Sequence, residues 1–201
     1  MAPLREPTVT LGDVRIAVDE RRVSPTIMQA LRRGEYEGAE AHHIGAIVQP
    51  GERVVELGGG LGYISTKIAL TGRVESLVVY EANPGLIPLI QRTHDLNGVR
   101  AEVANAVVAP KPAAASTPFY LRRDFWASSL SPEPYGYDDV VEVPTVAFDE
   151  MLRRWSPTLL VVDIEGGEVE LFQDVPLTGV KKVYLELHQE VIGRAGMKRV
   201  F

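Results

Sequence analysis

The stretch Val54-Val-Glu-Leu-Gly-Gly-Gly-Leu-Gly-Tyr-Ile-Ser65 decides the fold. Four residues of strand character, Val54 to Leu57, run into glycines at 58, 59, 60 and 62, and helix-forming sequence follows from Tyr63. Glycine lacks a Cβ, so the backbone can turn sharply and lie directly against a bound molecule. The helix after such a turn aims unpaired N–H groups at the same place. A strand, a glycine turn and a helix in this order open an α/β unit whose ligand sits beyond the carboxyl end of the strand.

Outward from this point the alternation repeats. Arg53 to Leu57 reads as a buried strand, Tyr63 to Leu70 as a helix, Leu77 to Tyr80 as a second strand and Pro84 to Leu96 as a second helix. Val99 to Ala104 suits a third strand. After a less regular middle come a helix at Asp149 to Arg154, a strand at Leu159 to Asp163, a helix at Glu168 to Phe172 and a strand at Val183 to Leu187. Apolar, β-branched strands alternating with helices predict a doubly wound, mostly parallel, Rossmann-like α/β sheet covered on both faces. In the middle, Pro110 to Pro118 reads as a loop, while Phe119 to Leu121 and Val140 to Val143 read as short strands around a Ser/Pro/Tyr-rich loop, Trp126 to Tyr137.

Upstream, Thr8 to Val18 alternates apolar and polar residues about Gly12-Asp13, the pattern of a hairpin. Ser24-Pro25 starts a helix as N-cap and first-turn proline, and a further helix covers Ala39 to Val48 until Pro50-Gly51. We therefore read residues 1–50 as a hairpin and helical extension, suited to a lid or a homodimer contact, and residues 51–201 as the ligand-binding α/β domain of one compact unit.

The 201 residues suffice for one domain with a sizeable core. A net charge of −6 disfavours a nucleic-acid partner, which needs cations against phosphates. The absence of cysteine excludes disulfides, thiolate zinc sites and thiol catalysis. The N-terminal residues lack the apolar core of a signal peptide, and no run approaches the ~20 apolar residues of a membrane span. A cytoplasmic protein with no membrane partner is the expectation.

Two nucleoside cofactors suit the glycine turn. A dinucleotide site wants G-x-G-x-x-G/A, but the last position falls on Tyr63 or Ser65. S-Adenosylmethionine instead calls for an acidic residue ending the strand, because its methionine part carries an ammonium group, and Glu56 stands there. Glu81 ends the second strand in Tyr80-Glu-Ala-Asn-Pro84, 19 residues beyond Gly62, where a carboxylate can accept from both ribose hydroxyls of either cofactor.

The ordered set of motifs resembles the FkbM family of class I methyltransferases, from about Arg33 to His188. The motifs are Gly34-Glu-Tyr-Glu37, the E-x-G-x-G-x-G turn, Tyr80-Glu-Ala-Asn-Pro84, Asn105-Ala106, Ser128-Ser-Leu130, Val143-Pro-Thr-Val146, Val162-Asp-Ile-Glu-Gly-Gly-Glu168 and Leu185-Glu-Leu-His188. The resemblance implies S-adenosylmethionine-dependent methylation of a hydroxyl on a sugar or secondary metabolite. It implies that Glu56 and the loop glycines Gly58, Gly59, Gly60 and Gly62 hold the methionine part, and that Tyr63 also belongs to the cofactor site. Glu81 and Ala82 would then hold the ribose, and Asn105 and Ala106 would flank the adenine. Asp163 and Glu165 would lie at the mouth. Folds of this kind finish with an antiparallel strand pair, and this sequence stops at Phe201 soon after the fifth strand, so the C-terminal strands are expected to be missing.

Removing the proton of a hydroxyl acceptor requires a base. Glu186 and His188 are two apart near a strand end and share one face. His188 is read as the base, with Asp163 or Glu165 orienting it; the competing reading is a strand-end histidine bonded to a neighbouring loop. The same carboxylates with His188 could hold a divalent cation, though none is expected. Ser128, Ser129, Tyr135 and Tyr137 make the Trp126 to Tyr137 loop either an acceptor wall or an ordinary surface connection. The missing N/D-P-P-Y/F tetrad, replaced by Asp163-Ile-Glu-Gly166, argues against methylation of DNA base amines. A nicotinamide oxidoreductase and a silent nucleoside-binding or assembly module are the alternatives.

Overall fold

A computed structural model describes residues 7–134, 136–165, 167–173, 175–188, 193, 194 and 196. Its centre is a five-stranded parallel sheet. The glycine turn joins β3 (Glu52–Leu57) to α3 (Tyr63–Leu70), which leads to β4 (Val74–Glu81). Helix α4 (Ile87–Asn97) then crosses to β5 (Glu102–Asn105) at one edge. The chain returns to the other side of β3 with β9 (Leu159–Val162), short helix α6 (Glu168–Leu171) and β10 (Lys182–Leu185). The strand order β10-β9-β3-β4-β5 makes β3 and β9 the place where winding reverses direction. Ligand sites of doubly wound sheets lie in the crevice that this reversal leaves open.

Alternate residues of each strand feed opposite layers. Val54, Val79, Leu159 and Val161 join Leu61, Ile64 and Ile68 in one cluster. Val55, Val78, Leu160 and Val162 join Phe148 and Met151 in the other. The second layer includes α5 (Phe148–Trp155), whose Phe148 and Met151 are fully buried. Burial on both faces explains why these strands read as continuous apolar runs.

The N-terminal hairpin, β1 (Thr8–Leu11) and β2 (Val14–Ala17), turns at Gly12 with φ +60°. Ser24 caps α1 (Pro25–Arg33) by accepting from Ile27 N–H, and Gly34 closes it at φ +75°. Helix α2 (Gly38–Ile47) follows. The hairpin is stitched to α4: Arg15 N–H donates to Asn97 Oδ1 at 2.9 Å, and Ala17 N–H donates to Thr93 Oγ1 at 3.0 Å. Leu11, Ile16, Ile27, Leu31 and Ile44 belong to the same cluster as Ile64 and Ile68.

Three boundaries differ from expectation. Strand β4 begins at Val74, because exposed Glu75 and Ser76 occupy its outer end and break the apolar run. Strand β5 begins only at Glu102, after Gly98 ends α4 in the left-handed region. The middle is a sheet of its own, of order β6-β8-β7: β6 (Val107–Ala109) pairs parallel and β7 (Ser116–Leu121) antiparallel with the nine-residue β8 (Asp139–Ala147). Part of the expected Pro110 to Pro118 loop is thus strand. β8 supplies the ladder partners that the sequence around Ser116 does not announce.

Among the described residues no helix is long and apolar enough to cross a membrane. The expectation about missing C-terminal strands concerns chain beyond His188, which lies outside the described residues apart from positions 193, 194 and 196.

Candidate active site

A cavity of about 950 Å³ opens over the carboxyl ends of β3 and β9. Its floor is the glycine turn, through Gly58 and Gly60, and one wall carries Glu81, Ala82 and Ala106. Asp163, Glu165, Glu186 and His188 form a second wall, while Tyr36 and Glu37 close it from the N-terminal segment. The turn Trp126 to Ser131 borders it from the small sheet.

The glycines divide by job. At Gly58, φ is +90° and a Cβ would stand 1.8 Å from the Asp163 carbonyl oxygen, so this glycine lets the ends of β3 and β9 touch. A Cβ at Gly59 would meet Val79 and Ile90, and one at Gly62 would meet Ile90 and His94. Those two positions serve packing beneath α4 and do not line the cavity. At Gly60, φ is +52° and a Cβ would meet the Tyr36 hydroxyl at 2.7 Å.

Glu81 is the best-built residue of the site. Its Oε2 accepts from Gly60 N–H at 3.0 Å and its Oε1 from Asn83 N–H at 2.6 Å. The N–H groups of Gly59 and Ala82 also point to this carboxylate, which is thereby fixed at the cavity wall. Burial raises the Glu81 pKa to about 6 against the lowering effect of those N–H donors.

Glu56, Tyr63 and Asn105 do not line the cavity. Glu56 is buried beneath the turn with Oε2 unpartnered, and burial raises its pKa to about 8 despite Ser65 alongside. Tyr63 is buried against the Tyr36 ring, with centroids 6.3 Å apart. Asn105 donates from Nδ2 to the carbonyls of Glu81 and Ala82, at 2.8 and 2.9 Å. It fixes the backbone of the wall, while its neighbour Ala106 faces the cavity.

Sequence reasoning gave no role to Glu37, which lines the cavity with its carboxyl beside the Tyr36 hydroxyl. Burial, with Asp163 and Glu56 nearby, pushes its pKa well up. Its motif Gly34-Glu-Tyr-Glu37 was visible, but the left-handed backbone at Glu37 (φ +46°) that turns it inward was not.

Around His188 the carboxylates converge. Its Nδ1–H donates to Glu168 Oε1 at 2.5 Å, and its Nε2 lies 3.3 Å from Glu165 Oε1 and 3.6 Å from Asp163 Oδ1. Glu168, fully buried at the start of α6, is therefore the partner on Nδ1, a position expected for Asp163 or Glu165. Burial pulls the imidazolium pKa down, but the Glu168 hydrogen bond and the charges of Glu165 and Asp163 outweigh it and carry the value up to about 9. Burial and then Glu186 raise Asp163 to about 7, with His188 opposing. Ligand atoms of Asp163, Glu186 and His188 all lie within 4.8 Å of one another, so these three could bind a divalent cation.

The turn after β7 is held by Arg122. Its Nη1 donates to Ala127 O at 2.9 Å and Ser129 Oγ at 3.1 Å, its Nη2 to Ser131 O at 2.9 Å, and its N–H to Ser128 Oγ at 3.0 Å. Trp126, Ser128 and Ser129 line the cavity, whereas Tyr137 stands edge-on to Tyr120 away from it. Tyr135 lies outside the described residues.

Among solved structures, the chain is similar to a tRNA methyltransferase from M. jannaschii at 20% identity and TM-score 0.38, covering 50% of this chain and 29% of that one. It is similar to the tRNA (uracil-54, C5)-methyltransferase of Pyrococcus abyssi in complex with S-adenosyl-L-homocysteine (16% identity, TM-score 0.41, 75% and 32% covered). A precorrin 8w decarboxylase from Methanobacterium thermoautotrophicum gives 16% identity and TM-score 0.47, with 91% and 76% covered. The chain spans about a third of the length of each of the two tRNA enzymes. No curated protein matches it significantly. The family model for the methyltransferase FkbM domain matches residues 61–195, more than half of the 201. The chain therefore belongs to the FkbM methyltransferase domain family.

Proposed function

We propose that this protein transfers a methyl group from S-adenosylmethionine to a hydroxyl oxygen of a small acceptor, a sugar or secondary metabolite. The observation that carries the cofactor reading is the charge of the cavity. Glu35, Glu37, Glu40, Glu81, Asp163, Glu165, Glu170 and Glu186 all line it, with no Lys or Arg among the described lining residues. A sulfonium and an ammonium against one carboxylate make S-adenosylmethionine a net cation, which this lining attracts. The pyrophosphate of a dinucleotide would be repelled, and the Gly60 N–H it would need is already bonded to Glu81.

The residues fit the cofactor. Glu81 would hold the ribose hydroxyls, Ala82 and Ala106 would offer small apolar surface to the base, and Glu37 and Asp163 would receive the ammonium. Glu56, raised to about 8 by burial beneath the turn, is mostly neutral in the free protein and gains its charge only as an entering cation lowers that value. When bound, the cofactor would supply an electrophilic methyl group, which passes to the acceptor oxygen as the S–CH3 bond breaks and the thioether, S-adenosylhomocysteine, leaves with the electron pair. Positioning that oxygen supplies much of the rate. His188 Nε2 takes the hydroxyl proton; Glu168 holds the imidazole through Nδ1, and Asp163 and Glu165 stabilise the imidazolium formed. With a pKa of about 9, His188 is protonated in the free protein at neutral pH. Positive charge entering among the carboxylates lowers that value and frees the base.

Calorimetric titration with S-adenosylmethionine, S-adenosylhomocysteine and NAD tests this reading. We expect binding of the first two and a loss of about 100-fold or more in Glu81→Ala, where two charge-assisted hydrogen bonds disappear. Binding of NAD alone would overturn the cofactor assignment, and binding of none would leave a silent module.

A further inference from the structure

We propose that the turn Phe125–Ser131 is the acceptor shelf of this cavity, built for an uncharged glycosyl or cyclitol ring and closed to phosphorylated or nucleotide-linked sugars. The proposal rests on the methyltransferase reading above and specifies its acceptor. Trp126 and Leu130 are 38% and 45% exposed, and both line the cavity. The Trp126 ring lies almost parallel to Tyr36, at 19° and 6.5 Å between centroids, and Phe125 meets Tyr36 edge-on. The result is an aromatic slab, Tyr36 buried beneath and Trp126 partly open to solvent.

This slab is rigid. Arg122 ties the turn at Ala127, Ser129 and Ser131, and the backbones of Tyr120 and Ser129 exchange hydrogen bonds at 2.9 and 3.2 Å. An aromatic side chain held open to water by a fixed turn is preorganised binding surface, because little entropy is lost when a ring stacks on it. The same cavity is lined by Glu40, Glu165, Glu170 and Glu186. Carboxylates accept strong hydrogen bonds from the hydroxyls of a neutral polyol. A phosphate or sugar carboxylate placed there would face like charges, and the one cation among the described lining residues, protonated His188, is already paired with Glu165, Glu168 and Asp163. An apolar ring face toward Trp126 and hydroxyl edges toward the carboxylates describe an uncharged sugar. Nucleotide-activated sugars carry a diphosphate, so methylation at this site follows glycosyl transfer.

The matched probes are 4-nitrophenyl β-D-glucopyranoside and 4-nitrophenyl β-D-glucuronide, which differ by one carboxylate. Their binding to the full chain is measured by saturation-transfer NMR at low and high salt, with S-adenosylhomocysteine affinity measured alongside. We expect the glucoside to bind, the glucuronide to bind at least ~10-fold more weakly, and the gap to narrow as salt screens the charges. Trp126→Ala should weaken the glucoside ~10-fold at unchanged S-adenosylhomocysteine affinity, and Trp126→Phe should restore most of it. Equal binding of the two glycosides, binding of neither, or an unaffected Trp126→Ala would overturn the proposal. Glucoside binding without S-adenosylhomocysteine binding would sink the methyltransferase reading and leave the shelf standing.

Discussion

Cofactor binding should tighten as pH rises from 6 to 7.5, because the cavity must give up protons to receive a cation. Asp163 is raised from 3.8 to about 7, by burial first and then by Glu186, and Glu81 is raised to about 6 by burial. At pH 6 about a tenth of Asp163 is ionised, and near pH 7.5 about three quarters. The ionised form attracts the sulfonium and ammonium, so S-adenosylmethionine should bind on the order of tenfold more tightly at the upper pH, with Glu81 adding a factor of about two. The sign follows from raised carboxyl pKa values: protons bound by the free protein are released on binding. His188, at about 9, stays protonated in the free protein across this window, and any proton it gives up as the cofactor's charge lowers its pKa adds to the release in the same direction. Calorimetry at pH 6.5 in two buffers of different ionisation enthalpy should show release of roughly half a proton or more per cofactor bound. In Asp163→Asn the pH dependence should largely vanish and the affinity should be low throughout. Affinity that stays flat from pH 6 to 7.5, with identical heats in both buffers, would refute the argument that crowded, mutually repelling carboxylates at the cavity wall receive the cofactor.

His188→Ala should lower turnover by about 10²–10⁴-fold while S-adenosylhomocysteine affinity changes little, measured by product formation and calorimetry. Glu168→Gln keeps the shape but removes the carboxylate whose hydrogen bond most raises His188, so the rising limb of the pH–rate profile should move about one unit or more toward acid. A limb that stays in place would show that Glu168 does not act through the imidazole. Gly58→Ala would drive a Cβ into the Asp163 carbonyl and should lower stability by about 4 kcal/mol or more, or prevent folding. Gly12→Ala, also at positive φ but with no neighbour within 4 Å, should cost only about 1–2 kcal/mol, both variants being measured by urea titration.

Local chemistry was written in the sequence. Ser24-Pro25 and Gly34 specify α1, Gly12 specifies the hairpin, and apolar strands that alternate with helices specify a sheet buried on both faces. Each is a short-range demand: a cap for free N–H groups, a left-handed backbone, a strand with no polar side. Glu81 was legible for the same reason, since it ends a strand at a fixed distance from the glycine turn. What the tertiary structure decided are the partnerships between distant segments. Gly58 looked like a ligand-facing glycine, and its tightest contact is the backbone of Asp163, more than a hundred residues away. Glu168 looked like a helix-start acid and is the partner of His188. Glu56 and Asn105 looked like cofactor ligands; one lies beneath the turn and the other braces the backbone behind the wall. Glu37 reaches the cavity because α2 begins from a left-handed residue, and the small sheet exists because β8 is long enough to pair on both edges. Sequence periodicity reports which face of an element is apolar; it carries nothing about which other element covers that face. That choice, which brings eight carboxylates and one imidazole around a single cavity, is made by the winding of the sheet about β3.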